Sequence, residues 1–124
     1  MIGYCNVKSF DAGDSAYDSG ALVTNGRSAL VSLVCHSQEV SSRGSVYPIQ
    51  FRNGSGSGDI LYKVRPFGGQ TTAIPSAYNL TYQVDMGGAG ILFTDGIFFE
   101  WVTAGGESEG VDNVIVFFTG GEPA

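Results

Sequence analysis

The clearest pattern in the chain is Gly90-Ile91-Leu92-Phe93-Thr94-Asp95-Gly96-Ile97-Phe98-Phe99-Glu100-Trp101-Val102. It reads as two short apolar strands about a tight turn. Asp-Gly between hydrophobic runs predicts a mirror-image hairpin turn, because that turn needs positive φ and these residues tolerate it best. A period of two places Ile91 and Phe93 on one face of the first strand. It places Ile97, Phe99 and Trp101 on one face of the second, and burial of each large ring contributes roughly 1.5–3 kcal/mol. Phe98 and Val102 make the opposite face apolar too, which predicts a central position or contact with a neighbour.

The same reading carries along the chain. Ala21-Leu22-Val23-Thr24 predicts a strand closed by a second turn dipeptide, Asn25-Gly26. Ala29-Leu30-Val31-Ser32-Leu33-Val34-Cys35-His36 is a continuous apolar run, as in a central strand buried on both faces. Val46 to Arg52 alternates, with Ile49 and Phe51 inward; Pro48 cannot donate to a ladder and pushes this strand towards an edge or a bulge. Asn53 to Gly58 is a Gly/Ser hairpin tip, followed by Ile60, Tyr62 and Val64 facing inward with Lys63 and Arg65 outward. Leu80, Tyr82 and Val84 share a face, and Val114 to Phe118 is apolar throughout. Residues 1–19 show no sustained period and read as an extended N-terminal arm. The expectation is an all-β chain: a two-sheet antiparallel β-sandwich, jelly-roll or Ig-like, of about eight strands over residues 20–124.

Composition supports strands and tight turns. Gly supplies 19 of 124 residues, while charged residues make up only 15% against a usual share of about 25%. So sparsely charged a surface fits one partly covered by other subunits, or a small monomer with uncharged loops. Net charge is −6, and the scattered bases Arg43, Arg52, Lys63 and Arg65 form no footprint for nucleic acid or an anionic membrane. Met1-Ile2-Gly3-Tyr4 lacks the basic start and apolar core of a leader, and no apolar run is long enough to span a bilayer. Synthesis in a cytoplasm is then expected, with Cys5 and Cys35 reduced and packed as small hydrophobes. The sequence leaves a bridge between them open.

Candidate chemistry is thin. Asp11, Asp14 and Asp18 have oxygen-donor spacing but lack the Asp-x-Asp-x-Asp-Gly order of a calcium loop, so they read as turn caps. His36, the one histidine, is next to Cys35 on a strand, where successive side chains face apart. Asp85, Asp95, Glu107 and Glu109 sit beside glycines at turns. Glu100 is the one acid inside an apolar strand; it reads as an interface charge, and if buried it needs a donor such as Arg52 or Arg65. No cofactor or metal site is expected.

Gly-Ile-Leu-Phe-Thr-Asp-Gly-Ile-Phe-Phe at 90–99, then Gly-Val-Asp-Asn-Val-Ile-Val-Phe-Phe at 110–118, resembles the C-terminal half of small β-sandwich virion proteins of tailed bacteriophages. The upstream pair Ile49-Gln50-Phe51-Arg52-Asn53-Gly54 and Ile60-Leu61-Tyr62-Lys63-Val64 is similar to theirs as well. The resemblance covers about residues 29–118. It implies a non-enzymatic capsid decoration, or cement, protein in the virion, contacting the major capsid protein or other virion subunits as a homo-oligomer. Candidate contact residues are Tyr4, Phe10 and Tyr17 in the arm, Phe67 in its loop, and Phe98 and Glu100 on the hairpin's outer face. The alternatives are a tail or neck component of the same particle, or a carbohydrate- or receptor-binding module in which Tyr47, Tyr78 and Trp101 stack on sugar rings.

Overall fold

The computed structural model describes residues 5–11, 19–37, 48–66, 80–102 and 113–123. Eight strands make up its regular structure: β1 (Asn6–Asp11), β2 (Ala21–Ser37), β3 (Ile49–Asn53), β4 (Ile60–Val64), β5 (Leu80–Asp85), β6 (Ile91–Phe93), β7 (Gly96–Trp101) and β8 (Asn113–Glu122). The all-β expectation is met, and every pairing is antiparallel. The division into two sheets is not. All eight strands join one open sheet in the order β1-β8-β2-β7-β3-β4, with β5 and β6 also paired to β2.

The sheet is organised on β2, 17 residues long. One edge of β2 carries β8 from Asn25 to His36. The other carries β7, β6 and β5 in succession. Straight, such a strand would reach about 55 Å at the usual rise, far beyond a chain of this size with an expected radius of gyration of about 14 Å. It therefore bends, at register shifts between Leu22 and Thr24, Asn25 and Ser28, and Leu30 and Ser32. Bulges of this kind raise local twist.

Bending of β2 curls the sheet onto its own apolar face. β1 and β7 are three strand steps apart, about 14 Å on a flat sheet, yet the rings of Phe10 and Phe99 stack with centroids 4.7 Å apart and planes at 16°. Phe99 also meets Phe51 at 6.0 Å and the edge of Trp101 at 6.0 Å. Around these rings lie Leu30, Leu33, Cys35, Ile49, Phe93, Ile97, Val114 and Val116, all fully buried. Tyr62, Val64, Tyr82 and Val84 flank them, half-buried.

The eight strands are not the eight read from the sequence. Asn25-Gly26 does not close a hairpin, since β2 continues through it from Ala21 to Ser37. Asp95-Gly96 does not either: β6 and β7 pair with β2 end to end rather than with each other. The two dipeptides lie across from one another, Asn25 opposite Gly96, with Gly26 N–H donating to the Asp95 carbonyl at 3.3 Å. Positive φ at Gly26 (+73°) and Gly96 (+122°) serves an irregularity in the ladder as well as it would serve a turn.

The eighth strand comes from the predicted arm. Residues 6–11 pair with β8 from Asn6 opposite Phe118 to Asp11 opposite Asn113. Phe10 is β1's one buried side chain, so an alternation could not be read there. The β3–β4 hairpin forms as predicted, and β3 is internal because Pro48 precedes the first ladder residue. Ile60, expected inward, is 47% exposed, because the register slips between Phe51 and Arg52 and sets Ile60 opposite Arg52.

Candidate interaction surface

The outer face of β7 carries two of the predicted contact residues. Phe98 lies between Leu22 on β2 and Arg52 on β3, its register partners on either side. Its ring is bedded against backbone: a Cβ built at Gly20 would stand 3.3 Å from the ring, and one at Gly56 would stand 3.5 Å away. It is half-buried, so one side of the aromatic surface stays open to solvent.

Glu100 is not a charge waiting for a partner protein. Its Oε1 accepts from Gln50 Nε2 at 2.6 Å and from Arg52 Nε. Gln50 is its direct cross-strand neighbour, and Arg52 is one of the two donors proposed from sequence. Arg52 also donates through Nη1 to the Gly58 carbonyl at 2.9 Å, tying the hairpin tip to the sheet. At the same end Asn53 Oδ1 accepts from Asp95 N–H at 2.9 Å, while its Nδ2 donates to Thr94 Oγ1 at 3.0 Å and Asp95 Oδ2 at 3.3 Å. Gly54 N–H donates to the Gly96 carbonyl at 2.9 Å. The result is a platform in which an aromatic ring sits beside an internally hydrogen-bonded polar network. No spacing in the sequence signals this lock, since Asn53 is about forty residues from Thr94 and Asp95.

The remaining candidates fall elsewhere. Phe10 is core, stacked on Phe99, and is not available as a contact. Tyr4, Tyr17 and Phe67 lie outside the described residues, as do Asp14, Asp18, Tyr47 and Tyr78. Trp101 is 6% exposed against Phe99, which removes it as a sugar-stacking platform. Asp11 accepts from Asn113 Nδ2 at 2.7 Å, a strand-pairing role.

The surface does carry exposed aliphatics: Val7 on β1, Ile60 and Leu61 on β4, and Leu92 on β6. β1 and β4 end the sheet, and among the described residues neither has a ladder partner on its outer edge. The sequence hid this, because which strands are terminal depends on pairing.

Reactive groups are scattered. Cys5 is exposed and Cys35 buried, both free, and burial pushes the Cys35 thiol up to about 12, leaving it protonated and inert. His36 is half-buried on β2, opposite Asn113 and Thr81. The described residues gather no group of three His, Cys, Asp or Glu side chains able to hold a metal. The chain has one Gly-x-Ser-x-Gly string, Gly106-Glu107-Ser108-Glu109-Gly110, outside the described residues.

Among the described residues, one carboxylate is tuned. Asp85 is held below the usual range by the Ser32 hydroxyl, donating at 2.7 Å, and by the Gln83 amide at 3.2 Å. A depressed carboxylate stabilises the fold above its unfolded pKa of about 3.9, and that contribution is lost as pH falls through the folded value. Ser32→Ala should therefore lower the urea midpoint at pH 7, and the gap to wild type should narrow as the pH falls below the ordinary carboxylate range and through the depressed Asp85 value. A gap unchanged with pH would place the loss in the second Ser32 hydroxyl contact, to the Val84 carbonyl at 3.2 Å.

Comparison with protein-family models, with curated proteins and with solved structures finds no match to this chain.

Proposed function

We propose that this chain is a non-enzymatic structural subunit of a bacteriophage virion, a capsid decoration protein that stabilises the shell by bridging its subunits. The observation that carries the reading is apolar surface at both ends of an open sheet. Val7 on β1 is 55% exposed, and Ile60 and Leu61 stand out on β4, the strand at the other end. An unpaired edge flanked by aliphatics takes up a neighbour's strand or loop. On a symmetric lattice many such modest contacts act together, so durable attachment needs no single large interface.

The Phe98 platform adds a rigid aromatic contact away from those edges, and the resemblance over residues 29–118 points to the same class. Within that class, the curl that brings Phe10 over Phe99 does the packing work of a two-layer sandwich. A tail or neck position in the same particle would use the same surfaces.

The test is copy number in purified particles, followed by incorporation of Val7→Glu and Leu61→Glu, both at solvent-facing positions. The expected result is a fixed stoichiometric ratio of wild-type chain to the major shell protein. Occupancy of the variants should fall by about tenfold or more, as for loss of about 1.4 kcal/mol or more per contact, with circular dichroism unchanged. A low copy number confined to one vertex or to the tail would move the chain to a neck or tail role. Absence from every particle, or full occupancy by both variants, would overturn the proposal.

A further inference from the structure

The chain contains two Asn-Gly steps, Asn25-Gly26 and Asn53-Gly54, and the fold treats them differently. Asn-Gly is the dipeptide most prone to spontaneous loss of ammonia, because glycine has no Cβ to hinder its own backbone nitrogen. We propose that Asn25 is the site at which the folded protein is covalently modified by deamidation, and that the fold holds Asn53 inert.

In the reaction the Gly26 backbone nitrogen gives up its proton to solvent base and attacks the Asn25 side-chain carbonyl carbon. Ammonia leaves as a five-membered succinimide closes. Water then opens the ring at either carbonyl, giving aspartate or isoaspartate at position 25. No oxidant or reductant is needed, and the co-reactant is water.

Two independent observations separate the steps. The first is bonding. At Asn53 the side-chain oxygen, both protons of the amide and the following N–H are engaged, by Asp95 N–H, Thr94 Oγ1, Asp95 Oδ2 and the Gly96 carbonyl. Among the described residues, the Asn25 amide makes one bond, from Nδ2 to the Pro123 carbonyl at 3.0 Å. The attacking Gly26 N–H donates to the Asp95 carbonyl at 3.3 Å, longer than the 2.9 Å of Gly54 N–H to the Gly96 carbonyl. The second is room. A Cβ at Gly54 would stand 2.9 Å from Asp95 Cβ, whereas nothing lies within 4 Å of one at Gly26. Asn25 is also exposed, while Asn53 is not.

The product changes the molecule where β2 holds the end of β8. Position 25 faces Glu122 on one side and Gly96 on the other. A carboxylate there cannot donate to the Pro123 carbonyl, and it adds a negative charge beside Glu122 to a chain already at −6. Isoaspartate would also lengthen the β2 backbone by one carbon, between two ladders. Both products loosen the last residues of β8, so the modification is a built-in clock for release of this end of the sheet.

The experiment is incubation of the full-length folded protein in mildly alkaline buffer at 37 °C, with peptide mapping by mass spectrometry and isoaspartate detection over weeks. Asn25 should convert faster than Asn53 by about tenfold or more, in keeping with the additional hydrogen bonds that must open at Asn53. In urea the two should convert at similar rates. Thr94→Val, which removes one of the acceptors, should raise the Asn53 rate in the folded protein, and Asn25→Ser should abolish the early acidic charge variant. Equal conversion of the two sites in the folded state would overturn the proposal. So would an Asn25 left intact over a period in which the urea-unfolded chain has fully converted.

Discussion

Phe99→Ala is expected to be the most damaging single substitution, lowering stability by about 3–5 kcal/mol, as for other fully buried phenylalanines cut to alanine. Against a total of about 5–15 kcal/mol for an ordinary domain, that leaves a chain close to unfolding. The reason is position. Phe99 is the ring on which Phe10, Phe51 and Trp101 all converge, on a strand hydrogen-bonded to both β2 and β3. Phe10→Ala should be severe as well. The double variant should lose less than the sum of the two, by about 0.5–1.5 kcal/mol of ring–ring coupling. Urea titrations followed by far-ultraviolet circular dichroism measure all four species. A coupling near zero would mean that β1 does not fold over β7, and the curled sheet would have to be abandoned. By the same argument, deleting residues 1–11 should destabilise the body rather than trim a separable arm.

Gly96→Ala is the second large effect, expected at about 3 kcal/mol. At φ +122° the backbone lies well past the left-handed helical basin, where a side chain costs about 1–3 kcal/mol. The new Cβ would also stand 2.6 Å from the Thr24 carbonyl oxygen, which the β2–β7 ladder prevents from moving away. Gly26→Ala is the internal control. It also sits at positive φ, +73°, but in open space, so only the conformational cost of about 1–2 kcal/mol applies. Thermal denaturation of the two variants should separate them clearly. Equal losses would mean that the two dipeptides are interchangeable, as they would be in two ordinary hairpin turns.

That pair also shows how far the sequence could be read. Alternation identified the inward faces of β3 and β7, because Ile49 and Phe51, and Ile97, Phe99 and Trp101, enter a common interior at a period of two. β8, apolar throughout, gave no such distinction, and only the fold shows Val114, Val116 and Phe118 to be its buried face. The Gly/Ser hairpin between β3 and β4 was legible for the same reason, with a turn-forming stretch between two alternating runs. The fate of Asn25-Gly26 and Asp95-Gly96 was not. An Asx-Gly step encodes only a backbone that crosses to positive φ, and whether the chain then reverses or merely jogs is settled by what lies opposite, here one dipeptide facing the other. β1 escaped notice because a strand at the rim of a sheet buries little, and Phe10 alone makes no period. At the candidate surface, the partner of Glu100 was narrowed to two arginines by charge alone. The lock of Asn53 on Thr94 and Asp95 required the register of β3 on β7, which no local pattern contains.

The order of the strands has a consequence for synthesis. β8 lies between β1 and β2, with Asn6 opposite Phe118. A ribosome therefore completes the two flanking strands long before the one that separates them. Until then the long edge of β2 is bare, and β1 has nothing to pair with. Folding must wait for late, distant pairings, which are slow in all-β chains, on the scale of milliseconds to seconds, and leave nascent intermediates open to association.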